Sequence, residues 1–181
     1  MKEVVFCFIE PNCWGSGVGE IAEQHGFVLL NSGDFFREFF RNEGFGDKET
    51  FLQVKDYLDN GIIVPTNLVL KVFRVGIEPH LHENLFFSNV IKYVELMQML
   101  KKEGYELKHI CYIYHETLDI LLENYKQKSE FYAEMAEDIE DRILRKRNDW
   151  KEIIANTGIV RIGYDLRNFE EFKENVKGLF I

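Results

Sequence analysis

Five short apolar runs punctuate the chain: "VVFCFI" (4–9), "FVLL" (27–30), "LFFS" (85–88), "HICYIY" (109–114) and "GIVRIGY" (158–164). They are rich in β-branched and aromatic residues. Most are continuous instead of alternating, the pattern of strands covered on both faces. Between them apolar positions recur at helical spacing, in "SGDFFREFFRNEG", "ETFLQVKDYLDNG", "PTNLVLKVFRVGI", "IKYVELMQMLKKEG" and "LDILLENYKQK". Strand and helix alternate, so the pattern predicts an α/β fold built on a parallel sheet.

Boundary signals agree with this order. Ser32 or Asp34 can cap "FFREFF", Gly61 follows "YLDN" as a C-terminal stop, and Pro65 stands where a first helical turn tolerates it. From about 130 to 155, acids precede bases one turn apart, as in Asp138 with Arg142 and Asp141 with Arg145, which predicts a solvated helix. No repeat, low-complexity tract or Pro/Ser-rich linker interrupts the chain. A length of 181 residues then predicts one domain, 1–181.

Charge narrows the partners. A formal net charge of −9 repels polyanions, so neither nucleic acid nor a membrane surface is expected, and small solutes or proteins are. Cys7, Cys13 and Cys111 have no zinc-knuckle or redox-pair spacing and read as buried thiols of a reducing compartment. The six apolar residues in a row near the start are too few for a signal segment, and a cytoplasmic protein is expected.

The order of motifs resembles the adenylate kinase and nucleoside monophosphate kinase family, of the P-loop NTPase fold. The resemblance is carried by the glycine-bearing turn in "EPNCWGSGVGEIAEQHG", by "NSGDFFREF", "LDNGIIVPTNLVLKVF" and "LFFSNVIKYVELMQML", and by the closing "NTGIVRIGYDLRNFEEFKENVKGLF". It implies a five-stranded parallel sheet flanked by helices, a monophosphate-binding helical insertion over 33–77, and a short lid at about 124–135.

Laid on the family's phosphate loop, the segment Gly15, Ser16, Gly17, Val18, Gly19, Glu20 is a relic. The lysine position is Val18, the threonine position Glu20, the first glycine Asn12 and the proline Trp14. A second register keeps a longer helix and puts Gly15 or Ser16 at the lysine position. Neither supplies a lysine, because none occurs between Lys2 and Lys48. Glu20 would repel a phosphate about 4 Å away by ~1 kcal/mol in water and ~4 kcal/mol at an intermediate dielectric, and Glu10 would add to this.

Elsewhere the resemblance is uneven. After the third strand, Ser88 stands at the metal-ordering acid, Lys92 at the arginine that grips the monophosphate, and Leu96 at the adenine-reading glutamine. No arginine lies between Arg74 and Arg142. Asn124 takes the lid-opening position, Lys126 and Lys128 read as solvent charges, and Arg142 is the surviving donor-side candidate or half of a surface pair with Asp138. The monophosphate side keeps more: Ser32, Gly33 and Arg37, with Ile62 and Val64 as the apolar wall and Lys92 opposite. Arg37 could instead pair with Glu38 or Glu43.

Two other features stand apart from the resemblance. His80 and His82, beside Glu78 and Glu83, have a weak zinc-like spacing. The phenylalanines 35, 36, 39 and 40 cover every side of one helix, which hints at a partner over its outer face.

The implied protein is a degenerate adenylate-kinase-like pseudoenzyme, without a metal site or cofactor. It lacks phosphotransferase activity and binds a nucleoside-monophosphate-like or other small anion, a protein partner or a second copy. The alternative is an active nucleoside monophosphate kinase with an atypical P-loop, in which Lys92 or Arg142 replaces the loop lysine and Mg2+ with ATP is the donor.

Overall fold

The expected strands form one parallel sheet, ordered β2-β3-β1-β4-β5. The computed structural model describes residues 2–90, 92–116, 118–126, 130–155 and 158–181, without the side chains of 120, 124–126, 130–137 and 166. The strands are β1 Lys2–Ile9, β2 Phe27–Asn31, β3 Asn84–Ser88, β4 Tyr105–His115 and β5 Val160–Tyr164. The helices are α1 Gly15–Gln24, α2 Ser32–Arg41, α3 Lys48–Asp59, α4 Thr66–Ile77, α5 Tyr93–Lys102, α6 Leu118–Lys126, α7 Glu130–Asp149, α8 Lys151–Ile154 and α9 Phe169–Lys177. This is the expected α/β class, a five-stranded parallel sheet flanked by helices. Among the described residues no helix is long and apolar enough to cross a membrane.

Several boundaries differ from the sequence reading, two of them with a visible cause. Strand β4 starts at Tyr105, before the apolar run, because its polar residues find local partners: Lys108 Nζ bonds Glu3 at 3.0 Å. Helix α2 is capped by Asn31, whose Oδ1 accepts the Gly33 N–H at 2.8 Å, and neither Ser32 nor Asp34 has that role. The reason is positional, since Ser32 is already the first helical residue. Gly61 does follow α3 with φ of 65°, a conformation that penalises a Cβ.

The chain divides into two compact units, one of Met1–Phe6 with Gly26–Lys108, the other of Cys7–His25 with His109–Ile181. The first contains residues 33–77, where α2 packs on α4. Its core is aromatic: Phe6 stacks on Phe87 at 5.3 Å, and Phe35 meets Phe73 at 5.4 Å. Of the α2 phenylalanines, Phe35 and Phe39 are buried, whereas Phe36 and Phe40 are half-buried and meet Phe73 and Phe51 edge-on.

The second unit holds the β1–α1 turn. Phe8 packs edge-on to Trp150 at 5.5 Å, Tyr164 to Phe172 at 4.9 Å, and Leu122 lies with Ile139 and Ile143 between α6 and α7. The middle of the expected lid, 127–129 with Lys128, lies outside the described residues, as do the side chains of Asn124, Lys126 and 130–135.

Candidate functional site

The five residues between β1 and α1, Glu10 to Trp14, make the turn that a phosphate loop would occupy. The glycines do not make it. The left-handed residues are Asn12 (φ 67°) and Trp14 (φ 42°), whereas Gly15, Gly17 and Gly19 lie inside α1 without positive φ. A left-handed conformation costs a side-chain-bearing residue roughly 1–2 kcal/mol. Packing of Trp14 offsets it, for its ring lies 4.9 Å from Phe169 and 6.2 Å from Phe172 of α9. A Cβ on Gly17 would fall 1.9 Å from the Trp14 ring, so this glycine is what lets the indole lie against the helix. Val18, the lysine position of the first register, is fully buried, and Glu20 points to solvent. The start of α1 at Gly15 leaves Gly15 and Ser16, the lysine position of the second register, exposed.

Beneath the turn lies a buried polar cluster that the sequence did not disclose. Glu10 follows the last residue of β1, and its N–H continues the sheet ladder to the Ile113 carbonyl at 3.0 Å. Its carboxylate is 1% exposed. Arg147, near the end of α7, donates Nε to Oε1 at 2.5 Å and Nη2 to Oε2 at 3.0 Å. The Tyr112 hydroxyl donates to Oε1, and the His115 N–H to Oε2 at 2.9 Å. Each oxygen therefore accepts two bonds, and the acceptor sites of the carboxylate are full. His115 Nε2 meets the Pro11 carbonyl at 2.8 Å, tying the turn to the end of β4.

Burial sets the ionisation here. The Tyr112 phenol is pushed up by burial and by its bond to the Glu10 carboxylate. The His115 imidazole is pushed down by burial, against its bond to Pro11 and the Glu10 charge. A neutral ring donating from Nε2 fits both facts. Burial and the Glu10 charge also raise the Cys13 thiol, which leaves it protonated and unreactive. Arg147 is held in its charged form by its bond to Glu10.

Among the described residues, Glu10, Cys13 and His115 are the group of donors that come within 4.8 Å of one another. They suit a cation poorly. The carboxylate is already saturated by a guanidinium, so a metal would have to displace Arg147 and would face its charge. Of the histidines of the zinc-like spacing, His80 Nδ1 lies 3.1 Å from Glu83 Oε1, and the exposed His82 has Nε2 3.8 Å from the same oxygen.

Next to the cluster, an open cavity of about 620 Å³ is lined by residues of β4, α7, α8 and β5. Tyr112 and Tyr114 stack on its β4 side, with ring centroids 5.5 Å apart and planes at 19°. Ile154 and Ala155 add aliphatic wall, and Arg147, Lys151 and Arg161 bring three cationic groups. Among the described residues no carboxylate lines it.

The residues named from the resemblance are dispersed. Arg37 pairs with Asp34, one turn away and not Glu38 or Glu43, and both side chains are about two-thirds exposed. Its guanidinium lies over Gly33, whose added Cβ would sit 3.3 Å from Nη1, and Ser32 is half-buried beside it. Val64 is buried, but Ile62 is 55% exposed. Ser88 lies 3.4 Å from Asn31 Nδ2, so the position of the metal-ordering acid serves the end of β2 instead. Lys92 is exposed and left-handed (φ 59°) just before α5. Arg142 faces Asp138 at 3.8 Å on the surface of α7, and Arg145 turns back to the Asp141 carbonyl at 3.2 Å. The arginine that reaches the turn is Arg147, five residues beyond Arg142. Glu10 closing an apolar strand and His115 closing another were the signals available. Nothing in the sequence linked either to Arg147, 137 positions away from Glu10.

By sequence, no family profile and no curated protein matches the chain. Among solved structures, a gluconokinase from Sinorhizobium meliloti 1021 is similar with a TM-score of 0.49 at 12% identity, over 98% of this chain and 91% of its own. That is a likeness of chain path, and the fold class stands on the sheet order itself.

Proposed function

We propose that this chain is a phosphotransferase-inactive protein that uses a kinase-like α/β scaffold to bind a small anion. The observation that carries the reading is the state of the β1–α1 turn. Phosphoryl transfer depends on backbone N–H groups, a lysine and a metal-held hydroxyl converging on the phosphates. Here the turn encloses its own carboxylate, Glu10, already neutralised by Arg147. The lysine position in one register is buried Val18, and in the other it is a glycine or serine. A triphosphate approaching this turn would meet a spent guanidinium and the exposed Glu20 carboxylate. The alternative, in which Lys92 or Arg142 replaces the lysine with Mg2+ and ATP, has less support, because one is exposed beside α5 and the other faces Asp138.

The test is conversion of ATP and AMP to ADP with magnesium, by protein purified free of host kinase. The expected rate lies about a thousandfold or more below the roughly 1–100 per second of kinases. Turnover within that range would sink the proposal. A nucleoside monophosphate held at the remnant site should raise the melting temperature through Arg37, and Arg37→Ala should remove the shift while sparing the fold.

A further inference from the structure

The cavity beside the Glu10 cluster has a composition that the rest of the chain does not prepare for. The protein carries a net charge of −9, yet Arg147, Lys151 and Arg161 line this one concavity, and among the described residues no acid does. Glu10 neutralises one of the three and is saturated. Arg147 still has donors left, since Glu10 takes Nε and one N–H of Nη2, Tyr112 interacts with the same group, and a guanidinium carries five N–H. Arg161 is fixed in place by donating Nη2 to the Ile154 carbonyl. Lys151 is exposed and has no side-chain partner among the described residues. About two unneutralised positive charges therefore stand around the space.

Beyond the cations the lining is His115 and a largely aromatic and aliphatic wall. The Tyr112–Tyr114 stack leaves the Tyr114 ring half-buried at the wall, with Ile154 and Ala155 as the aliphatic part. A volume of about 620 Å³ lies in the range of small-molecule sites, ~300–1,000 Å³. We infer that this cavity binds a small aromatic anion, its ring against Tyr114 and Ile154 and its phosphate or carboxylate between Lys151, Arg161 and the free edge of Arg147. The ring supplies burial and stacking, and the head group supplies charge-assisted hydrogen bonds. Inorganic anions satisfy only the second part. The site is distinct from the Arg37 remnant, and it stands whether or not that remnant binds a nucleotide.

Phenyl phosphate and 4-hydroxybenzoate distinguish the two head groups, and inorganic phosphate reports on charge alone. Calorimetric titration of the full chain should give a Kd of about 1 mM or tighter for at least one aromatic anion, and binding at least tenfold weaker for inorganic phosphate. Preference for the first probe identifies an aryl phosphate site, preference for the second an aryl carboxylate site. Lys151→Glu should weaken binding at least tenfold. Ala155→Trp, which fills the wall without changing charge, should do the same. Both changed side chains are exposed, and retained far-UV ellipticity and melting temperature verify that the variants fold. In wild type, amide shifts on titration should centre on Tyr112, Tyr114 and Ala155, a readout that needs no variant. Any of three results overturns the inference: no saturation by either aromatic probe at about 5 mM, inorganic phosphate binding as tightly as the aromatic probes, or shifts and affinities indifferent to Lys151→Glu and Ala155→Trp.

Discussion

Glu10 and Arg147 show how the same pair of charges has different worth by location. Removing one partner of a buried, hydrogen-bonded ion pair leaves the others uncompensated and costs about 3–5 kcal/mol. Glu10→Ala deprives Arg147, the Tyr112 hydroxyl and the His115 N–H of their acceptor at once. Arg147 is a third exposed, so water takes over part of its role and the loss should lie near ~3 kcal/mol. Asp34→Ala breaks an exposed pair with Arg37, and there the change should stay below ~1 kcal/mol. Urea unfolding of the two variants beside wild type makes the comparison. His115 adds a pH dependence of definite sign. Its folded pKa is depressed below the ordinary 6.5 by burial, so the unfolded chain takes up the proton first as pH falls. Its contribution to stability is full above about 6.5 and is lost as pH drops towards the folded value. Unfolding free energy measured between pH 5 and 7 should fall less steeply on acidification in His115→Gln than in wild type.

At the scale of elements, the β1–α1 unit is organised by aromatic packing. Trp14 takes a left-handed conformation that glycine would adopt freely, and Gly17 gives its ring room on α1. A phosphate nest needs free backbone N–H groups on a concave turn. Here the Cys13 N–H is already bonded to the Glu10 carbonyl at 3.2 Å, and the Val18 N–H to the Trp14 carbonyl at 3.2 Å. Introducing a lysine and a threonine at the two positions should therefore not create a triphosphate site. Val18→Lys with Glu20→Thr is expected to give no heat of binding with magnesium ATP in calorimetry. The same double variant should be less stable, because an ammonium replaces a fully buried valine in the core of α1. Micromolar binding would show that the backbone had remained competent.

Across the molecule, charge and cavity act at different ranges. The net charge of −9 creates a repulsive field for polyanions, and duplex DNA should not be retarded by the protein at about 0.1 M salt, where screening begins beyond ~10 Å. A small anion can still enter the cavity between β4, β5 and α8, because the local cations lie within that screening distance. Gel retardation over a salt series tests the first half of this contrast. A salt-independent DNA shift would remove the argument from net charge.

What the sequence determined by itself was the periodicity: five apolar runs with helices between them are enough for a parallel α/β sheet, since strands covered on both faces must be apolar throughout. It also determined an absence, because no alignment can place a lysine between Lys2 and Lys48. The meaning of "GSGVG" required tertiary structure. Whether a glycine makes a turn or clears space for a ring depends on φ and on what packs above it, and Trp14 is far in the chain from Phe169 and Phe172. The same holds for Glu10, read from sequence as a repulsive acid beside the loop and found buried against Arg147. A burial-dependent ion pair has no local signature, because it depends on which strand end and which helix end meet after folding. The cationic cavity is likewise assembled from β4, α7, α8 and β5, whose residues share no pattern along the chain and become a site only when the sheet orders them side by side.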